Sequence, residues 1–110
     1  MILFKPEHAL LILGGRKTQT RRVGKRRWNV GAVHACYTRP PFAKGGAEPF
    51  ARVRILDVRW ERLRAMTRQD VYAEGYDSYS EYMDALERIN GVKLAGDDGV
   101  WVVEFVVVRP

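Results

Sequence analysis

Nine residues near the end of the chain, "VWVVEFVVV" (Val100–Val108), constrain its fold most. Six are valine, and β-branched side chains at that density suit a pleated surface better than a helix turn. Only Glu104 interrupts the apolar run, so it reads as a buried strand, which must find paired neighbours for its backbone. Phe50–Trp60 ("FARVRILDVRW") supplies one by its alternation. Val53, Ile55 and Asp57 fall on one parity, and Arg52, Arg54, Leu56 and Val58 on the other. Shorter strand signals occur at Ile2–Phe4, Thr18–Val23 and "AVHACYT" (32–38). Trp60 and Trp101 are expected in the core.

Helices punctuate these strands. Pro6 suits the first turn of a helix that runs through "PEHALLILGG", with Gly14 or Gly15 as its left-handed stop. Thr67-x-x-Asp70 has the form of a capping box, and a helix from there stops near Gly75. Another starts at Asp77 or Ser78 and ends at Asn90-Gly91. Tyr79, Tyr82, Met83, Leu86 and Ile89 form its helical stripe, read as core. "RPPFAKGGAEP" (39–49) breaks both ladders with proline and glycine and reads as a long mobile loop, a length common among lids. Short strands with a few helices predict an α+β fold, a small partly closed β-barrel with helices packed outside it. With 110 residues the chain is one domain, 1–110, large enough for a real core and too small for two.

Charge is the other strong signal. Seven of residues 16–27 are Lys or Arg, and no acid lies between Glu7 and Glu48. Residues 70–98 reverse this, with eight acids against Arg88 and Lys93. Like charge crowded beside a core either splays into solvent or awaits an anion, and RNA or a nucleotide comes before an acidic membrane surface. A single cysteine, Cys36, excludes an intramolecular disulfide framework and fits a reducing compartment. Met1–Phe4 is too short for a signal peptide, and no apolar run reaches membrane-spanning length. A soluble cytoplasmic protein without membrane contact is the expectation. His8, His34 and Cys36 lack metal-ligand spacing, so neither a metal nor a cofactor is expected. His34 and Cys36 share a strand face and read as a buried structural pair before a catalytic one.

Gly15-x-Lys17-x4-Arg22 follows the first helix directly. A glycine there permits a sharp turn, Lys17 offers a compact charge, and Arg22 offers a planar fork for phosphate or carboxylate. In "GGRKTQTRR" this motif resembles the signature of the ASCH domain family. "WNVGAVHACY", "AEGYDSYSEYMDAL" and the closing strand are similar to the family in the same order. The resemblance covers the whole chain and implies a PUA-like barrel and a role in RNA binding. Arg16, Arg21, Lys25, Arg26 and Arg27 would then hold phosphate, and Trp28 would either stack on a base, joined by Tyr37 or Phe42, or simply pack. One branch of the family hydrolyses the acetyl amide of N4-acetylcytidine with a Lys, a Thr and a Glu. Those roles carry over to Lys17 as base, Thr20 as nucleophile and, across a one-residue gap, Glu74. In a regular strand Lys17 and Thr20 would face opposite sides; they converge only if Lys17 lies in the turn or the strand is bulged. The basic run after the motif favours a polyanion over a neutral nucleoside. A third reading is a protein-interaction module whose acidic helix (Glu81, Asp84, Glu87) docks a basic partner.

Overall fold

The C-terminal run forms β5 (Gly99–Val107), which pairs on both sides, antiparallel to β4 (Ala51–Arg62) and to β2 (Gln19–Arg22). The computed structural model describes residues 1–42 and 44–109; within the 39–49 loop, Ala43 therefore lies outside the described residues. β4 also pairs with β3 (Val33–Tyr37), and β3 pairs in parallel with β1 (Ile2–Leu3). The resulting order, β1-β3-β4-β5-β2, is a mixed five-stranded sheet curled into a partly closed barrel. Helix α1 (Pro6–Leu13) joins β1 to β2, while α2 (Arg68–Glu74) and α3 (Tyr79–Asn90) join β4 to β5 after a 3-10 turn at Leu63–Ala65. The expected elements are all present, and the 3-10 turn is an addition.

Strand β4 departs from its expected phase. The register runs Ile55 to Phe105 and then Asp57 to Glu104, leaving Leu56 as an unpaired bulge residue. A single inserted residue reverses the parity beyond it. Val58, not Asp57, thus joins Val53 and Ile55 against Val103, Phe105 and Val107. Asp57 instead lies with Arg59, Glu61 and Glu104, and Arg59 ion-pairs with all three carboxylates. Trp60, expected in the core, falls on the same face as Val58, paired with Trp101 near the end of the strand, and is 52% exposed.

The core has two clusters. Ile2, Phe4, Ile12, Trp28, Cys36, Val53, Ile55, Val103 and Phe105 fill the barrel, and Leu63, Tyr82, Leu86 and Val100 join α3 to it. Of the α3 stripe, Tyr82 and Leu86 are buried as expected, while Tyr79 and Ile89, near the two ends of the helix, are exposed. Cap chemistry sets the helix ends. Thr67 and Asp70 form the full reciprocal box on α2, and Ser78 accepts from the Glu81 amide at the start of α3.

Gly75 ends α2 at φ +98°, and a Cβ there would stand 2.7 Å from Leu11 Cδ1. The left-handed backbone favours glycine, and an added Cβ would also have to displace the tip of the Leu11 side chain. Gly75→Ala is expected to destabilise the fold by about 1–3 kcal/mol. Urea denaturation measures it, and a loss under about 0.5 kcal/mol would show that the α2–α3 corner relaxes freely.

Candidate functional site

The basic motif is pinned at the junction of three elements. Gly15, at φ +84°, turns the chain out of α1. The amides of Arg16 and Lys17 both donate to the Leu11 carbonyl at 3.0 Å. The Thr18 amide donates to the Ala73 carbonyl of α2 at 2.9 Å. Strand pairing therefore starts only at Gln19, so Lys17 belongs to the turn. Released from strand alternation, Lys17 and Thr20 line the same cleft.

Lys17 and Glu74 are each only 2% exposed. Lys17 Nζ donates to Glu74 Oε1 at 2.9 Å and also to the Glu74 carbonyl at 2.9 Å. That carbonyl is one of the orphaned acceptors at the C-terminal end of α2, a helix with no basic residue in its own last turn. Arg21 takes the other carboxylate oxygen, with NH1 3.0 Å from Glu74 Oε2, and donates to Gln19 Oε1 at 2.7 Å. Gln19 in turn donates to Asp70 at 3.1 Å, which joins the cluster to the capping box of α2. Arg21 Nε and NH2 have no hydrogen-bond partner among the described residues; NH2 lies 3.7 Å from Asp70 Oδ2, an ion-pair separation.

Above this floor opens a cleft of about 410 Å³. Thr20, Arg22, Tyr76, Tyr82 and Leu86 form its inner wall, and Lys5, Arg27 and Arg39 stand with them around it. Glu74 is the one carboxylate among the lining residues. Arg22 donates through Nε to Thr20 Oγ1 at 3.2 Å and through NH2 to the Leu3 carbonyl at 2.8 Å, over the rings of Phe4 and Trp28. The Tyr82 hydroxyl, on the same wall, is buried with no hydrogen-bond partner among the described residues. His8 Nε2 lies 3.1 Å from the Tyr76 hydroxyl.

The structure thus brings Lys17, Thr20, Arg21, Arg22, Arg27 and Glu74 to one cleft. It places the other expected ligand contacts elsewhere. Arg16 turns away to Asp77 at 3.0 Å and stacks over Tyr72. Lys25 and Arg26 are exposed beyond the strand end, outside the cleft lining. Trp28 is buried in the core under Arg22, with packing as its observed role. Cys36 is fully buried, and burial raises its thiol to about 11. Sequence reasoning missed Lys5, His8, Arg39 and Tyr76, and took Tyr82 for core alone. Each reaches the cleft by tertiary folding, with no local spacing to signal it.

Burial is the largest influence on Lys17 and lowers its pKa, against the pull of Glu74 and with help from Arg22 and Arg21. His8 is pushed down to about 4, first by burial and then by Lys17. Tyr82 is raised by burial, so its hydroxyl stays protonated. Lys5, Arg22, Arg27 and Arg39 among the lining residues give the cleft a cationic surround.

No family model matches this sequence, and no curated protein matches it. Solved structures do. An ASCH domain from Lactobacillus crispatus JV V101 superimposes with a TM-score of 0.69 at 17% identity, over 90% of this chain and 69% of that one. The ASCH protein from Zymomonas mobilis gives 0.66 at 18%, over 99% and 69%. Protein EF3133 from Enterococcus faecalis V583, assigned to the family model DUF984, gives 0.68 at 16%, over 93% and 67%. The fold is that of the ASCH domain. Within this ASCH fold, no helix among the described residues is long and apolar enough to cross a membrane.

Two predictions follow from the buried charges. Glu74→Gln leaves Lys17 and Arg21 buried without their shared counter-charge and is expected to cost about 3–5 kcal/mol in urea denaturation at neutral pH. A loss under about 1 kcal/mol would mean that the cluster reopens to water. His8 binds its proton more weakly folded than unfolded, so the stability it contributes is complete above its ordinary 6.5 and is lost as pH falls toward about 4. NMR titration of the His8 ring is expected to show a neutral imidazole at pH 5.5; an ordinary midpoint near 6.5 would contradict this environment.

Proposed function

We propose that this chain binds a nucleotide, free or as a unit of RNA, in the cleft beside Lys17, Thr20 and Arg22. The observation that carries this reading is the distribution of charge and apolar surface. Lys17 and Arg21 on the floor are already matched by Glu74, whereas Lys5, Arg22, Arg27 and Arg39 have no carboxylate partner among the described residues. They share the cleft lining with Tyr76, Tyr82 and Leu86. A ligand with a flat apolar part and an anionic end satisfies both, and a nucleotide has that form. The buried Tyr82 hydroxyl offers a donor on the base side, and Arg22 and Arg27 offer forks to phosphate. The ASCH fold is compatible with this reading.

A second reading is favoured by one specific observation, the shared cleft of Lys17, Thr20 and Glu74. In it, Thr20 Oγ attacks the acyl carbonyl of an acylated pyrimidine nucleoside such as N4-acetylcytidine while Lys17 takes its proton. The leaving amine recovers that proton through the Lys17–Glu74 pair, and water then releases the acid from Thr20. Glu74 has both oxygens held by cations, so it acts by positioning Lys17 and tuning its proton affinity.

Titration of a short oligoribonucleotide across salt tests the first reading. The log–log slope of affinity against salt is expected to be roughly −0.7 for each phosphate held, and Arg27→Ala is expected to flatten it by about one such unit. A flat salt response would overturn it. Incubation with N4-acetylcytidine beside Lys17→Ala tests the second: cytidine formed only by the parent protein would establish hydrolysis.

A further inference from the structure

The basic loop Lys25–Arg27 and the exposed Trp60 lie largely outside the cleft, and the sheet register connects them to it. Arg22 on β2 pairs with Trp101 on β5, which pairs with Trp60 on β4. Directly paired residues project from the same face, so the three form one row running from the cleft across the sheet. Trp60 stands two strands from Arg22, about 10 Å at ordinary interstrand spacing. Its ring lies on Gly99, where any Cβ would collide with the indole. Half of the Trp60 surface is open, and the Arg62 guanidinium hovers 5.8 Å from the ring centroid.

Charge at this end of the sheet is suited to a phosphate backbone. β2 ends with Arg22 paired to Trp101, so the chain leaves the sheet at the end where Trp60 rests on Gly99, and Lys25, Arg26 and Arg27 follow within five residues. The carboxylates of the adjoining turn are engaged. Asp97 pairs with Arg64 at 2.6 Å, and Asp98 accepts from the Ala95 amide at 2.7 Å. Glu61 is on the opposite face with Arg59.

We infer that the Trp60–Trp101 row is a stacking platform for a single-stranded nucleic acid whose neighbouring nucleotide occupies the cleft. It rests on the nucleotide reading above and extends it from one unit to a strand. Aromatic rings accept any base face, while Arg62 and the Lys25–Arg27 loop hold the backbone between stacked positions. The bulge at Leu56 makes the platform, since it brings Trp60 into phase with Trp101.

The test compares cytidine monophosphate with a hexacytidylate strand on the parent protein, Trp60→Ala and Trp60→Phe, following tryptophan fluorescence and calorimetry. The strand is expected to bind more tightly than the mononucleotide. Trp60→Ala is expected to weaken the strand about tenfold and leave the mononucleotide unchanged, with Trp60→Phe restoring most of the loss. Mononucleotide binding with no effect of Trp60→Ala on the strand would overturn the platform and leave the cleft reading standing. Strand binding that depends on Trp60 without mononucleotide binding would support the platform and remove the cleft reading. Binding of neither probe would overturn both. A dimer that Trp60→Ala dissolves, at unchanged strand affinity, would assign this face to a second copy and overturn the inference.

Discussion

The contact between Lys17 and Glu74 lies at the centre of the bonds that tie the turn after α1 to the C-terminal end of α2. Burying an ammonium and a carboxylate costs several kcal/mol each, and the cost is offset only if their hydrogen-bonding capacity is largely used. Here Glu74 uses both oxygens and its carbonyl, and Arg21 fills the second oxygen. The cation from the turn after α1 also caps the C-terminal end of α2. Such a cluster adds less to stability than an apolar one of the same volume, yet it tolerates few alternative arrangements. It fixes α2 against β2, and the Gly75 turn then aims α3 so that Tyr82 and Leu86 reach the cleft.

A second constraint comes from topology. The strand order leaves β1 and β2 as free edges, and a ladder between them would close the barrel. In place of that ladder Arg22 reaches across, donating to the Leu3 carbonyl and resting on Phe4 and Trp28. A side chain spans a gap that backbone bonds would have sealed, and the cleft occupies that gap. Burial lowers the pKa of this guanidinium, a group that in proteins stays protonated at neutral pH. The seam therefore keeps a fixed positive charge.

Most of the architecture was legible because its signals are local. Valine density marked β5, a reciprocal Thr67–Asp70 pair marked the start of α2, and Gly75 and Gly91 marked helix ends. The phase of β4 was not legible, since Leu56 resembles any other strand residue and only pairing with Phe105 and Glu104 reveals the bulge. That one residue moved Val58 onto the core face and Asp57 off it. The site divided in the same way. Lys17, Thr20 and Arg22 share one short motif and were found together, whereas Tyr76 and Arg39 reach the cleft from distant segments. Arg16 shows the limit of counting charge, because Asp77 and Tyr72, more than fifty residues away, claim its guanidinium.

The two functional readings make opposite demands on Lys17. A phosphate at the floor of the cleft is drawn to an ammonium, whereas a general base must first give its proton up. Burial, Arg21 and Arg22 favour the neutral amine, and Glu74 favours the cation. Because Arg21 shares the carboxylate, Glu74 holds that proton less firmly than an undivided partner would. An incoming phosphate adds negative charge and moves the balance toward ammonium, which strengthens its own binding. A neutral acylated nucleoside adds no charge but displaces water, which moves the balance toward the amine. Under either reading, the charge on the ligand would bias the proton state of Lys17 that it meets.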